Sequence, residues 1–175
     1  ENEIILKNVD NYLEKNKNNL KNIKLIFRPH PYTVNRDLEL INLNKYKNII
    51  LDPQMKSRYT FNLPESKMTS GDFNYSVRLI KNAQFIITTA TSVTIEASIF
   101  YKNVICYIPE NDPDKKIFTN VHAQFKDCNV ARFPNIKICV DPKKIVPLFR
   151  ELSSSKKRIQ KKEIDKYRNK VVFSD

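Results

Sequence analysis

The amino-acid sequence predicts an α/β fold in which a parallel sheet of about five to six strands carries helices on both faces. Short apolar runs alternate with segments of helical spacing, which is the pattern of βαβ units. The apolar runs are rich in β-branched residues and are continuous rather than alternating, as expected for strands covered on both faces. The chain has 175 residues, enough to bury a substantial core.

The spacing of apolar residues and the positions of turn and capping residues define the elements in the first half of the chain. The predicted helices have apolar residues at helical spacing, whereas the predicted strands are short apolar runs. Asp72 follows the only glycine in the chain and is expected to cap a helix. In chain order we predict a helix over 4–13, a strand over 24–27, a helix over 38–43, a strand over 49–51, a polar loop over 53–71 and a helix containing Val77, Leu79 and Ile80.

The second half of the chain continues the same alternation. Pro109 stops one of its apolar runs. In chain order we predict a strand over 85–88, a helix over 93–100, a strand over 104–108, a short helix over 117–125, a strand over 136–140 and helices over 142–152 and 156–168. We expect residues 1–175 to form a single domain, with 153–175 as a C-terminal helical extension.

Several classes of protein are disfavoured by what the sequence lacks. No apolar run approaches the roughly 20 residues of a membrane span, and no charged-then-apolar leader opens the sequence. The three cysteines show no C-x-x-C spacing, which argues against a disulfide framework or a zinc ribbon and suits a reducing cytosol. The two histidines are far apart and the sequence has no glycine-rich phosphate loop, so we expect neither a bound metal nor a nicotinamide or P-loop enzyme.

The net charge of +12 has two interpretations, and both stay open. A basic protein attracts phosphates, nucleic acid or an anionic membrane face. The alternative is compositional, because Lys and Asn are frequent throughout the chain. The densest basic stretches, 156–158 and 161–162, are not interleaved with aromatic residues as in single-strand binders, so we do not expect a nucleic-acid partner.

The first candidate site follows the strand over 24–27 and reads Arg28-Pro29-His30-Pro31. The two prolines restrict the backbone around His30. Imidazole suits phosphate contact or general acid chemistry because its pKa lies near neutrality, and Arg28 offers forked donors to phosphate oxygens. The alternative is a turn in which His30 caps a backbone carbonyl and Arg28 is solvated.

The second candidate site is the hydroxyl-rich turn that follows the strand over 85–88. There the N–H groups of a helix start form an anion site, to which Thr91 and Ser92 can add hydroxyl donors. Ordinary N-capping is the alternative and accounts for one hydroxyl. Glu96 comes one residue too late for a capping box on Ser92, and is better placed to accept hydrogen bonds from ribose hydroxyls. His122, the other histidine, follows an apolar helical face and is interpreted as structural.

These motifs are similar to a known group of enzymes. The run Ile-Phe-Arg-Pro-His-Pro, then Ile-Ile-Leu-Asp, then residues 79–100 resemble the C-terminal half of GT-B-fold bacterial transferases. The likeness is to CDP-glycerol glycerophosphotransferases and to capsule sialyl-, polysialyl- and Kdo-transferases, and covers residues 23–109. Several of these families carry Asp in the turn where this chain has Thr89, although phosphate contact needs only hydroxyl and N–H groups.

The resemblance implies one half of a GT-B fold with a Rossmann-like sheet. It implies that His30 is the catalytic residue at the phosphate of a CMP- or CDP-activated donor, and that Arg28, Pro31, Thr91 and Ser92 line the phosphate site. By analogy with the wider fold, Glu96 would face the ribose. Such an enzyme needs no metal, and its acceptor site and general base would lie on an N-terminal domain outside this sequence.

We therefore expect a cytoplasmic donor-binding domain of a glycosyl- or polyol-phosphate transferase in surface polysaccharide synthesis, such as capsule, lipopolysaccharide or teichoic acid, inactive without its partner domain. Peripheral attachment to the anionic inner membrane face stays open. One alternative is half of a UDP-sugar 2-epimerase-like enzyme. Another is a basic module that binds nucleic acid or anionic lipid.

Overall fold

The computed structural model of the chain describes residues 2–20, 23–29, 38–39, 41–61, 70–89, 91–108, 133–154 and 161–172. The chain divides into two compact units, Glu1–Tyr75 and Ser76–Asp175, and contains α-helices together with parallel sheets. This confirms the mixed α/β class. The single-domain prediction is not tested by this division, and it stays a prediction.

The first unit is built on a pair of parallel strands. Its elements are α1 (Asn2–Lys15), β1 (Leu25–Phe27), a 3-10 turn (Leu43–Lys45), β2 (Ile49–Leu51), α2 (Pro53–Phe61) and the first part of α3 (Ser70–Asn82). Strands β1 and β2 pair in register, with Leu25 opposite Ile49 and Phe27 opposite Leu51. Leu6 from α1 and Ile41 pack with Ile49 to form the core on one face of this pair.

The other face of this pair is partly open. Ile26 and Ile50 lie directly opposite each other and are 38% and 46% exposed. In each strand the middle residue is therefore more exposed than its two neighbours, although both sequences are continuously apolar. The expectation that continuous apolar runs are covered on both faces does not hold for β1 and β2.

The second unit contains a three-stranded parallel sheet of order β3-β4-β5. Its elements after α3 are β3 (Phe85–Thr88), α4 (Ser92–Ile99), β4 (Asn103–Tyr107), β5 (Ile136–Cys139), a 3-10 turn (Pro142–Lys144), α5 (Ile145–Ser154) and α6 (Lys161–Val172). The central strand β4 is buried from Val104 to Tyr107, as its apolar sequence predicts. Phe85 and Phe149 meet edge to face in the same unit, with ring centroids 4.3 Å apart.

The predicted single sheet of about five to six strands is not observed. The five strands of the described residues form one sheet of two strands and one of three, because their hydrogen-bonded ladders run only within each set. Apolar patterning identifies a strand but does not specify which strand it pairs with. All five strands nevertheless lie within one or two residues of their predicted positions.

Two predictions between β2 and β3 are wrong. The polar stretch predicted as a loop begins with the helix α2, because Asp52 accepts hydrogen bonds from the N–H groups of Gln54 and Met55 and Pro53 suits the first helical position. Asp72 does not cap the next helix, since α3 already begins at Ser70. Both errors come from taking polar composition and one glycine as loop signals.

The C-terminal helix α6 belongs to the core of the second unit. Ile164 is buried in the same hydrophobic cluster as Val104 and Phe133, and the Tyr101 hydroxyl donates a hydrogen bond to Asp165 at 2.8 Å. The helix predicted over 117–125, including His122, lies outside the described residues. Within the described ranges, none of the helices combines the length and the apolar character that crossing a membrane requires.

Candidate functional site

The hydroxyl-rich turn joins the carboxyl end of β3 to the start of α4. Thr91 is the N-cap residue with an extended backbone, but its side chain makes no capping hydrogen bond. Its hydroxyl instead lies 3.3 Å from that of Thr88, and the side chains of Thr91 and Ser92 are exposed. Ser92 is the first helical residue rather than the cap. Ordinary N-capping therefore does not account for either hydroxyl.

Two further hydroxyls of this region are buried, and one of them, on Thr94, bonds to the turn. The Thr89 carbonyl accepts hydrogen bonds from the Thr91 N–H at 2.8 Å and from the Thr94 hydroxyl at 3.0 Å. The Ser98 hydroxyl donates in turn to the Thr94 carbonyl at 2.9 Å. Thr94 and Ser98 are fully buried. The turn is thus fixed by internal hydrogen bonds that leave the Thr91 and Ser92 side chains exposed.

The start of α4 has the electrostatic character of an anion site. The N–H groups that open a helix lack intrahelical partners, and the helix dipole places partial positive charge there. The first turn of α4 carries no acidic residue that would oppose an anion. Glu96 is half-buried and follows Ser92 by four residues, so both lie on the same face of the helix.

Arg28, at the end of β1, is surrounded by partners within the first unit. Its Nη1 forms an ion pair of 2.9 Å with the Asp52 carboxylate, and its Nη2 donates to the Gln54 side-chain oxygen at 2.7 Å. The guanidinium also lies over the Tyr75 ring, 5.6 Å from its centroid. The alternative in which Arg28 is solvated does not describe this side chain, which is only 22% exposed.

The rest of this first candidate site is only partly described. Pro29 is buried, whereas His30 and Pro31 lie outside the described residues. The roles assigned to Arg28, His30 and Pro31 stay predictions.

Asp52 is a polar residue of this corner that was not among the predicted site residues. It is fully buried, and its Oδ1 accepts from the N–H groups of Gln54 at 2.9 Å and Met55 at 3.0 Å while pairing with Arg28. Its Oδ2 is also buried, and none of the described residues donates a hydrogen bond to it. The Asp-Pro pair after an apolar run was the available signal, because Asp at the N-cap and Pro at the next position mark a helix start.

Two of the three cysteines are described, and both are buried thiols, outside any disulfide, in the sheet of the second unit. Burial raises the pKa of the Cys139 thiol, whose Sγ lies 3.1 Å from the Asp141 carbonyl oxygen. Both therefore behave as small core residues. In the part of the chain that the structure describes, no group of three His, Cys, Asp or Glu side chains could hold a metal ion.

Comparisons with models of known protein families, with curated proteins and with solved structures found nothing that matches this chain.

Proposed function

We propose that this chain is the donor-binding part of a cytoplasmic glycosyl- or polyol-phosphate transferase that uses a CMP- or CDP-activated donor in bacterial surface polysaccharide synthesis. As part of this proposal, we expect the strands to belong to one Rossmann-like sheet of five to six strands, which is one half of a GT-B fold. It also carries the expectation that the acceptor site and the general base lie on a further domain, so that this chain alone catalyses no transfer.

The turn from β3 into α4 is the observation that carries this proposal. In parallel α/β sheets, ligands bind beyond the carboxyl ends of the strands, and helix starts at that edge bind phosphate groups. The exposed hydroxyls of Thr91 and Ser92 lie at such a helix start, after the carboxyl end of β3. The sequence resemblance at the same residues supports a nucleotide phosphate as the ligand.

Each residue of the proposed site has a separate role. The Ser92 and Thr91 hydroxyls and the first N–H groups of α4 donate hydrogen bonds to the donor phosphate. Glu96, on the same helical face as Ser92, accepts hydrogen bonds from the ribose hydroxyls. His30 lies outside the described residues, and for it we keep the role that the resemblance implies, contact with the donor phosphate as donor or general acid, which suits imidazole as a chemical group.

Calorimetric titration with CMP, CDP, UDP and ADP, with and without a chelator, tests the proposal. We expect the cytidine nucleotides to bind most tightly and the chelator to have no effect. No nucleotide binding at all would contradict the proposal, and a clear preference for UDP would favour the epimerase alternative.

Variants of the site residues sharpen this test. Removing a hydrogen bond to a charged group costs about 1.5–3 kcal/mol, so His30→Ala should weaken CDP binding by roughly 10- to 150-fold. Ser92→Ala should cost less, because the backbone donors stay in place. Ser57→Ala is the matched control, since Ser57 is an exposed helical serine whose hydroxyl donates to the Pro53 carbonyl.

Glu96→Gln tests the ribose contact. It should lower the preference for CDP over 2′,3′-dideoxy-CDP, with Glu151→Gln as an exposed control on α5. An unchanged preference in Glu96→Gln would remove Glu96 from the site.

A further inference from the structure

The end of β1 and the start of α2 meet at a buried carboxylate. The Asp52 Oδ1 accepts hydrogen bonds from the Gln54 N–H and the Met55 N–H, and it forms an ion pair with the Arg28 Nη1 at 2.9 Å. Arginine nitrogens and the first N–H groups of a helix are the donors that proteins use to bind phosphate. At this corner the chain supplies its own anion, which is the fully buried carboxylate of Asp52.

The partners of Arg28 also restrict what this side chain can reach. One guanidinium nitrogen contacts Asp52, another donates to Gln54, and the plane lies over Tyr75. Breaking a buried ion pair by removing one partner is strongly destabilising, because the other charge is left in a poorly solvated place. Turning Arg28 toward an external phosphate would require breaking its ion pair with Asp52, whose side chain is 0% exposed.

We propose that Arg28 is a positioning residue whose anion is Asp52, and that it does not bind the donor phosphate. The ion pair fixes the end of β1 to the start of α2, and so sets the direction in which the chain leaves β1 through the buried Pro29. The statement about the donor phosphate rests on the proposed function. The ion pair itself does not.

Chemical rescue tests the ion pair independently of any nucleotide. Asp52→Ala removes the carboxylate and leaves a gap that matches formate, so the unfolding midpoint in urea should fall and sodium formate should restore part of it. Sodium chloride at equal ionic strength should restore less. The double variant Arg28→Met/Asp52→Ala should gain much less from formate, because the charge that attracts the anion is gone. Equal effects of formate and chloride on Asp52→Ala would overturn the ion pair.

Asp52→Asn provides a second variant that keeps the helix cap. Asparagine still accepts from the Gln54 and Met55 N–H groups but leaves Arg28 without its carboxylate. Asp10→Asn is the matched control, because Asp10 is a buried carboxylate whose described hydrogen bonds come from the backbone N–H groups of Lys47 and Asn48. We expect the unfolding midpoint to fall more in Asp52→Asn than in Asp10→Asn. Equal losses would count against the pair.

The CDP affinity of Asp52→Asn decides whether Arg28 binds the donor phosphate. If Arg28 only positions the strand end, releasing it from Asp52 does not tighten CDP binding, and the affinity stays the same or falls. Tighter CDP binding in Asp52→Asn, lost again in Arg28→Met/Asp52→Asn, would overturn the positioning role and make Arg28 a phosphate ligand. If the wild-type chain binds no CDP, the proposed function fails, while the formate experiment still decides the ion pair.

Discussion

Single hydroxyl groups around the start of α4 serve two distinct purposes. Thr91 and Ser92 present exposed hydroxyls, whereas those of Thr94 and Ser98 are buried. The Thr94 hydroxyl donates to the Thr89 carbonyl in the turn, and the Ser98 hydroxyl donates to the Thr94 carbonyl within α4. The sequence predicted the first pair, because a hydroxyl-rich turn between a strand and a helix is a recognisable pattern. The sequence could not distinguish the buried pair, Thr94 and Ser98, from the exposed pair. The four side chains are chemically similar and lie within eight residues, so only their orientation in the fold separates them.

The buried Thr94 hydroxyl offers a test of this division. Thr94→Val keeps the shape of the side chain but removes the hydrogen bond to the Thr89 carbonyl, at a cost of about 1 kcal/mol in the free energy of unfolding. Because the bond fixes the turn, we expect Thr94→Val also to weaken CDP binding severalfold. Thr94→Ser keeps the hydroxyl and should bind CDP like the wild type. Urea unfolding and calorimetry on both variants check this, and equal loss of affinity in the two would contradict it.

At the scale of whole elements, the strands were predictable and one helix was not. Each strand is a short apolar run, and its apolar sequence alone makes it recognisable. Helix α2 has two buried positions near its centre, Met55 and Arg58, and one of them is charged. A pattern of apolar spacing cannot reveal a helix whose inner face includes an arginine. The only sequence signal for this helix was the Asp52-Pro53 pair at its start.

Helix α6 differs from α2, because it was predicted although its sequence is highly charged. Its packing depends on a few apolar residues. Ile164 is buried among Val104 and Phe133, while its neighbour Glu163 is exposed. Replacing a buried Ile by Ala typically costs 2–5 kcal/mol, so Ile164→Ala should lower the free energy of unfolding by about that amount. Glu163→Ala, in the same turn, should change it by less than about 0.5 kcal/mol. Similar small losses in both variants would mean that α6 is a dispensable extension of the second unit.

For the whole molecule, the sequence predicts the class of fold better than its arrangement. The strands follow from local apolar runs, but the division into sheets of two and three strands depends on pairing between distant segments. The same holds for the candidate site. Thr91 and Ser92 follow from local sequence, whereas the ion pair of Arg28 with Asp52 joins two segments on neighbouring strands, and spacing carries no signal for it.

The distribution of charge gives the last prediction, because it separates the two classes of function. Residues 76–175 contain 19 Lys and Arg and 10 Asp and Glu, so they carry +9 of the net +12. A nucleic-acid-binding module would use this charge to contact many phosphates of a single strand. Its affinity would then fall steeply with salt concentration, with a slope of about −0.7 in log affinity against log salt for each phosphate contacted. A donor site at the start of α4 contacts only the one or two phosphates of a nucleotide.

We therefore expect CDP to bind with a shallow salt dependence, and a single-stranded oligonucleotide to compete with it weakly at physiological salt. Titrations of both ligands at several salt concentrations measure the two slopes. Ser92→Ala should weaken CDP binding and leave any oligonucleotide binding unchanged, because only the nucleotide depends on that hydroxyl. The opposite result is a steep salt slope for the oligonucleotide with no binding of mononucleotides. It would identify the charge of the second unit as the functional surface and remove the turn before α4 from consideration.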